Sequence, residues 1–451
     1  MLERKEVIKI LKKALTYTRV GMAEAVLECN RLSLTRFAES KISDNIDQEE
    51  TTLYFRLAEN KKVAVIATGD VSDDGIMKAV SDCKDMLQYM APDDNFVSFP
   101  EPDNQPLKEN FMTAGTSAFG PKKRAEAVSI SSKIARKGNM HVSGAFRIEE
   151  TNLAVANSLG INRFFKGNMA QMSISVSGED NNSGWAIQYS PDASKIDVHS
   201  LAKTATTKAA TSKNPIALPD GQYTVILEPA AVGQFLLLLS FLGFGCKTLY
   251  QHRSFMSGKI GEKIAGDNFT VYEDAGDPAF NIRPFDYEGV TRKKVPLITN
   301  GLAQGVVYNS YYANLMNTAS TGHALPPSNN FGPYPKTMVV EPGSTTLPDM
   351  IASTDRGILI THFWYLNYLN PMRTMVTGTT QDGTFLIEDG QITRPIKNMR
   401  TNQSILEAFS NILQISGERI VYPQFGVLMK VPAMKISGFN LSAEEQDNGK
   451  C

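Results

Sequence analysis

The sequence is poor in the residues that most often build metal, redox and disulfide sites. Its 451 residues include five histidines and four cysteines. The cysteines are Cys29, Cys83, Cys246 and Cys451. Because they form no CxxC pair and no regular framework, we expect four free thiols in a reducing cytoplasm.

The histidines are too scattered to predict a metal site. They are His141, His199, His252, His323 and His362. No two of them are spaced to share a helix face or adjacent strand positions, which is the usual local spacing of metal ligands. We therefore expect neither a bound metal nor a cofactor.

An excess of charge and a long apolar run are also lacking. Lys and Arg number 46 against 47 Asp and Glu, for a formal net charge of −1, so we expect no direct contact with nucleic acid. The most apolar run, at residues 235–244, is shorter than the roughly 20 apolar residues that cross a bilayer. Charges interrupt the N-terminal stretch "MLERKEVIKILKKALTY", which is not typical of a signal peptide. We expect a soluble cytoplasmic protein with no membrane contact.

Residues 1–215 are predicted to form an α+β domain in which short strands lead into single helices. Segments such as "AEAVLECN", "LSLTRFAE" and "TTLYFRLAE" are typical of separate strands. One helix is predicted from about Ser72 and a second from Pro121. The related patterns "LECNRLSL" and "IEETNLAV" indicate a duplicated unit of strand meander plus helix.

Residues 216–451 are predicted to form a largely antiparallel, β-rich domain. The segment "TSKNPIALPDGQY", residues 211–223, carries the turn residues of a domain boundary. After it, strand patterns bounded by Gly or Pro dominate, as in "KTMVVEP" and "GTFLIEDG". The apolar run is predicted to be a helix in the core of this domain, buried through Leu236, Leu237 and Leu239.

Phrases spread through the chain carry a family resemblance. They include "NSLGINRFF", "NNSGWA", "GKIGEKIAGDNFTVYEDAGDP", "FDYEGVTRKKVPLITNG", "NTASTGHALP", "TGTTQDGTFLIEDGQITRPIKNMRTNQS" and "VPAMKISGF". In this order they resemble the TldD/PmbA family, described as peptidases and as modulators of DNA gyrase. The resemblance extends over nearly the whole chain. It implies an N-terminal α+β domain, a β-rich C-terminal domain and a dimer.

The resemblance also implies where catalytic members hold zinc. They carry a helical His-Glu-x-x-x-His motif and a further cysteine ligand nearer the C-terminus. Two neutral imidazoles and a thiolate leave one zinc position open, and the glutamate takes the proton of metal-bound water. Histidines five residues apart lie about 140° apart around an ideal helix, so the motif needs a distorted helix, which a glycine helps to permit.

This chain departs from that motif. Catalytic relatives have "HEAVGH" where it has "PAAVGQ", at residues 229–234. Pro229 and Gln234 replace the histidines, and Ala230 replaces the glutamate. No cysteine follows Cys246 until the last residue. We therefore predict a helix that keeps the scaffold but has no metal ligand and no catalytic residue.

The resemblance and the missing ligands together predict a non-catalytic role. We expect a TldE/PmbA-like subunit that binds an extended peptide, as a homodimer or as a heterodimer with a TldD-like catalytic chain, in cytoplasmic proteolysis or peptide maturation. Main-chain pairing could hold the peptide along "RGILITHFWYLNYLNP". The groove residues would be His362, Phe363, Trp364 and Tyr365. A strand in the core or at a dimer interface is the alternative for this segment.

Two other functions stay open on the sequence alone. The first is an active peptidase with an unrecognised metal or nucleophile site, for instance Cys246 with His252 as its base. The second is a regulator of DNA gyrase, although the near-neutral charge argues against direct contact with DNA.

Overall fold

The computed structural model describes residues 1–18, 21–179 and 182–443. Cys451, and Asn181 of the phrase "NNSGWA", lie outside the described residues. The elements of the N-terminal half are α1 (Arg4–Thr16), β1 (Met22–Ala38), β2 (Lys41–Glu59), β3 (Lys62–Thr68), α2 (Asp73–Tyr89), β4 (Asn110–Phe111), α3 (Ala114–Ser117), α4 (Pro121–Arg136), β5 (His141–Asn157), β6 (Asn162–Ser177), β7 (Ser183–Ser190), a 3-10 helix (Ala193–Lys195) and α5 (Val198–Thr211).

The first seven strands form one sheet in the order β3-β2-β1-β5-β6-β4, with β7 paired to β6. All pairings are antiparallel except that of β4 with β6. The order helix, three strands, helix occurs twice, as α1 to α2 and as α4 to α5. The two echoed sequence patterns lie on β1 and β5, which pair with each other at the centre of the sheet.

The strands are longer than the sequence patterns predict. "AEAVLECN" and "LSLTRFA" are parts of the single strand β1 rather than two strands. Residues near its middle are only partly buried, so the alternation that marks a strand weakens there. Pairing with β2 on one side and β5 on the other nevertheless keeps the backbone extended throughout.

The predicted helix starts are confirmed. The Ser72 side chain accepts a hydrogen bond from the backbone N–H of Gly75 and caps α2. Pro121 is the first residue of α4, where its missing N–H costs nothing. Apolar faces of α1 and α2 pack on one end of the sheet, and those of α4 and α5 pack on the other end of the same face.

The C-terminal half contains one long helix and many strands. Its elements are β8 (Gly221–Leu227), α6 (Pro229–Gly243), α7 (Cys246–Tyr250), β9 (Val271–Glu273), β10 (Val295–Thr299), β11 (Leu302–Ala303), α8 (Ser310–Leu315), β12 (Thr337–Val340), α9 (Leu347–Ala352), β13 (Arg356–Asn370), a 3-10 helix (Pro371–Arg373), β14 (Met375–Glu388), β15 (Gln391–Pro395), β16 (Met399–Ser404), α10 (Ile405–Ser410), β17 (Ile412–Gln424) and β18 (Val427–Ala443).

These strands form a second sheet, mostly antiparallel, in the order β11-β10-β9-β12-β18-β16-β14-β13-β8. β15 pairs with β14, and β17 pairs with β18. β18 also pairs with β8, which closes a ring of strands through β13, β14 and β16. α6 packs against β13, β17 and β18 in the largest apolar core of the molecule. The fold is α+β, as predicted, and the predicted boundary at residue 215 falls in the connection between α5 and β8.

A buried ionic cluster joins the two halves. The guanidinium of Arg56 lies 2.6 Å from Glu24 and 3.5 Å from Glu288 of the C-terminal half. Burial raises the pKa of Glu24 to about 7, although Arg56 acts in the opposite direction. The Tyr287 hydroxyl donates to Glu28 at 2.6 Å. These contacts connect β1 and β2 directly to the C-terminal half.

Among the described residues, every helix is too short or too polar to cross a membrane. The predicted core positions Leu236, Leu237 and Leu239 on α6 are buried, so the apolar run is part of the core.

Candidate functional site

The site is centred on the first two turns of α6. Glu228 precedes the helix in an extended conformation, and Pro229 is its first residue. The Glu228 carboxylate lies 2.6 Å from the ammonium of Lys208 on α5. This ion pair therefore connects the start of α6 to the N-terminal half of the chain.

Gln234, in the position of the second motif histidine, forms two hydrogen bonds with the backbone of Phe363 on β13. Its Nε2 donates to the Phe363 carbonyl at 2.8 Å, and its Oε1 accepts from the Phe363 N–H at 2.8 Å. β8 pairs with β13 only as far as Ile360 and then gives way to α6. The glutamine side chain thus replaces the strand partner that β13 lacks at Phe363.

Gly233 is retained from the motif for a reason of packing. A Cβ atom added to Gly233 would lie 2.5 Å from Cδ1 of Tyr422 on β17. The ring of Tyr422 is buried directly against the helix at that point. α6 is assigned as α-helix from Pro229 to Gly243, so here the glycine permits close approach of a ring.

The residues at the motif positions do not fit a zinc ion. Pro229 has no side-chain donor atom, and Ala230 has no proton acceptor in its side chain. Both polar atoms of the Gln234 amide are already hydrogen-bonded to Phe363. Within residues 1–18, 21–179 and 182–443, no three His, Cys, Asp or Glu side chains are placed to hold a metal ion together.

Restoring the motif alone is expected to give only weak zinc binding. A Pro229→His/Ala230→Glu/Gln234→His variant would place two imidazoles on α6 but no thiolate, and zinc sites use three or four protein ligands. We expect both this variant and the wild type to lose zinc on dialysis, as measured by elemental analysis. About one zinc ion per wild-type chain after dialysis would contradict the conclusion that the residues at the motif positions do not fit zinc.

His362, a predicted groove residue, is buried between charged and aromatic neighbours. Its Nε2 lies 2.9 Å from Oδ2 of Asp382, and its Nδ1 lies 3.2 Å from the Phe363 carbonyl oxygen. Its ring centroid is 4.6 Å from that of Trp185 on β7. Burial tends to raise the pKa of Asp382, but the hydrogen bonds from His362 and Ser183 outweigh it and lower the pKa. His362 therefore links β13 to β14 and to the first sheet.

The other three groove candidates divide between core and surface. Phe363 is buried, and its ring stacks on Phe235 of α6 at a centroid distance of 5.2 Å. Trp364 is 62% exposed and Tyr365 is 78% exposed. A peptide in a groove could therefore reach only Trp364 and Tyr365 of the four side chains.

The geometry gives little support to Cys246 as a nucleophile. Cys246 is fully buried at the start of α7, whereas His252 is exposed beyond the end of that helix. Burial raises the pKa of the Cys246 thiol to about 12, against the lowering effect of a hydrogen bond with Tyr308. A reactive cysteine needs a lowered pKa and solvent access, and Cys246 has neither.

Sequence reasoning missed Asp382, Trp185 and Tyr422, which complete the surroundings of α6 and β13. Asp382 carries one usable signal, because an Asp-Gly pair inside a strand pattern indicates a bulge. Asp382 has a φ of 54°, and the pairing of β13 with β14 shifts register between Ile360 and His362, opposite this pair. Nothing in the sequence near Trp185 or Tyr422 points to α6.

Comparisons with known proteins agree with this architecture. Residues 220–443 match the PmbA/TldA metallopeptidase C-terminal domain family. A metalloprotease TldD homolog of Haemophilus influenzae is 28% identical over 221 residues, which cover 48% of this chain and 45% of that protein. The chain thus spans about half the length of that relative.

Longer matches cover both halves. A metalloprotease PmbA homolog of Haemophilus influenzae is 24% identical over 395 residues, which cover 82% of each chain. The crystal structure of TldE from Thermococcus kodakarensis superimposes with a TM-score of 0.87 at 23% identity, covering 97% of this chain and all of that chain. The fold and these matches define a metallopeptidase-related protein. The chain belongs to the TldD/PmbA family.

Proposed function

We propose that this chain is the non-metal, TldE-like member of a cytoplasmic peptidase system, which captures an extended peptide and pairs with a metal-bearing TldD-like chain. The observation that carries the proposal is the pair of hydrogen bonds between Gln234 and Phe363. At the position where catalytic relatives are expected to hold a metal ligand, this chain has a structural contact between α6 and β13.

A peptide-binding role needs no catalytic residue, because an extended segment can be held by main-chain hydrogen bonds to a strand. The exposed aromatic side chains Trp364 and Tyr365 on β13 are candidates for contact with such a peptide or with the partner chain. The Gln234 contact keeps β13 in place beside α6, so a surface carried by β13 would be rigid.

The test is to mix the protein with a catalytic TldD-like chain from the same organism and to follow cleavage of a flexible peptide. The isolated protein is expected to show no cleavage, since no three His, Cys, Asp or Glu side chains in the described part of the chain are placed to hold a metal ion, and the Cys246 thiol is buried. Cleavage by the mixture should rise with added protein and should stop when a chelator is added. Cleavage by the isolated protein that persists in chelator would refute the proposal.

A matched pair of variants tests the aromatic surface. Trp364→Ala/Tyr365→Ala should weaken the stimulation of cleavage, whereas Phe331→Ala, which removes an aromatic ring that is 74% exposed elsewhere, should not. Equal stimulation by both variants would remove Trp364 and Tyr365 from the site without affecting the pairing itself.

A further inference from the structure

One strand of the first sheet has an open edge. β2 pairs with β1 from Lys41 to Ala58, but β3 pairs with β2 only from Leu53 to Glu59. Residues 44–52 therefore have a strand partner on one side only. Residues 44–50 are also exposed on both faces. A regular strand whose outer N–H and C=O groups are unpaired can accept another extended segment.

The open edge is acidic. Residues 44–52, "DNIDQEETT", include four carboxylates and no Lys or Arg. Asp47 is paired with Arg31 at 2.7 Å, and Glu49 is paired with the N-terminal amine at 3.0 Å. Asp44 and Glu50 form no ion pair within the described part of the chain. These two carboxylates are the ones open to a ligand.

A cavity beside the edge carries carboxylates among guanidinium groups. Glu50 lines a cavity of about 420 Å³ between the first sheet and the C-terminal half. The same cavity is lined by further carboxylates, guanidinium groups and apolar rings: Glu28, Glu149, Glu150, Arg31, Arg147, Arg283, Phe165 and Phe280. Alternate side chains of an added strand would lie about 5 Å from those of β2, so a long basic side chain beside Glu50 could approach these carboxylates.

The composition of the edge argues against a permanent subunit contact. A stable interface buries about 800 Å² on each partner with an apolar centre, and Ile46 is the one large apolar side chain of residues 44–50. Pairing with a second copy would bring two sets of four carboxylates together, which is unfavourable. Main-chain hydrogen bonds and opposite charge instead suit a transient, extended, positively charged segment.

We propose that the open edge of β2, residues 44–52, binds an extended peptide rich in Lys or Arg as an additional antiparallel or parallel strand. The inference rests on the proposed peptide-binding function and adds to the β13 surface a second strand, on the first sheet, with a defined substrate class. Asp44 and Glu50 select for basic side chains, and the backbone of β2 supplies the hydrogen bonds.

The experiment measures binding of labelled peptides to the full-length protein by fluorescence anisotropy at low salt. The probes are a peptide that alternates lysine with threonine, the same peptide with glutamate in place of lysine, and the lysine peptide N-methylated at alternate backbone amides. We expect the lysine peptide to bind, and each other probe to bind about tenfold or more weakly. Added salt should weaken binding of the lysine peptide.

Variants locate the binding site. Asp44→Lys/Glu50→Lys should weaken binding of the lysine peptide about tenfold and improve binding of the glutamate peptide. The control Glu126→Lys/Glu407→Lys makes the same charge change at exposed positions on α4 and α10 and should leave both affinities unchanged. Circular dichroism of each variant verifies that the fold is kept.

The remaining outcomes separate this inference from the proposed function. If the protein stimulates a catalytic partner but Asp44→Lys/Glu50→Lys binds the lysine peptide like the wild type, the edge assignment is wrong and the proposed function stands. If the variant loses association with the partner while peptide binding is unchanged, the edge is a subunit contact and the inference is overturned. If no peptide binds and no partner is stimulated, both proposals fail.

Discussion

Replacing Leu236 with aspartate is expected to lower the free energy of unfolding by at least about 4 kcal/mol. Leu236 is fully buried on α6, in the core that the helix shares with β13 and β18. The substitution removes the packing of a leucine and places a carboxylate among apolar side chains. Urea denaturation followed by circular dichroism measures the effect.

A matched control separates burial from the mere introduction of charge. Leu413 on β17 is 53% exposed, so Leu413→Asp should change the free energy of unfolding by no more than about 0.5 kcal/mol. If Leu236→Asp unfolds at the same urea concentration as the wild type, α6 is not buried in solution. The apolar run would then have to be reassigned to a partner or membrane surface.

The second large effect is expected at Gln234. Gln234→Ala leaves the N–H of Phe363 without a partner in the core and leaves its carbonyl oxygen only the 3.2 Å contact with His362 Nδ1. A buried group without a partner costs about 1 to 3 kcal/mol. We therefore expect a loss of about 1 to 3 kcal/mol in the free energy of unfolding. Gln304→Ala, at an exposed glutamine, serves as the control and should have little effect.

The isosteric change Gln234→Glu gives this prediction a pH signature. A carboxylate there can still accept from the Phe363 N–H, but its second oxygen faces the Phe363 carbonyl. Burial and this repulsion should raise the pKa of the new carboxyl in the folded state above its unfolded value. The folded state then binds protons more readily, so the variant should regain stability as the pH falls. A difference from wild type that is constant between pH 8 and pH 5 would contradict the proposed contact.

Structural features that depend only on residues close together in the sequence, such as helix starts, are predictable from this sequence. Ser72 as a helix cap and Pro121 as a first helical residue each depend on a few adjacent positions, and both helices begin there. The burial of the apolar run follows from its composition, because a helix that is apolar all round has no face suited to water. The loss of the zinc ligands is visible for the same reason, since the motif occupies only residues 229–234.

Contacts between distant positions are not predictable in this way. Gln234 and Phe363 are 129 residues apart, and no local pattern announces that a glutamine side chain will complete the edge of a strand. The groove hypothesis shows the same limit. Adjacent aromatic residues look alike in the sequence, yet Phe363 stacks on Phe235 in the core and Trp364 faces solvent. Strand alternation and a register shift after Trp364 place the two side chains in these different environments.

The residue pattern alone thus establishes the α+β class, the family resemblance and the absence of the motif ligands, since each depends on local order along the chain. Three other features depend on how strands far apart in the sequence pair. They are the closure of the second sheet through β18 and β8, the contact of α6 with β13 and the open edge of β2. Strand pairing is set by the packing of the whole domain, because isolated strands have little stability of their own. For that reason the open edge, where a peptide is proposed to bind, becomes visible only in the tertiary structure.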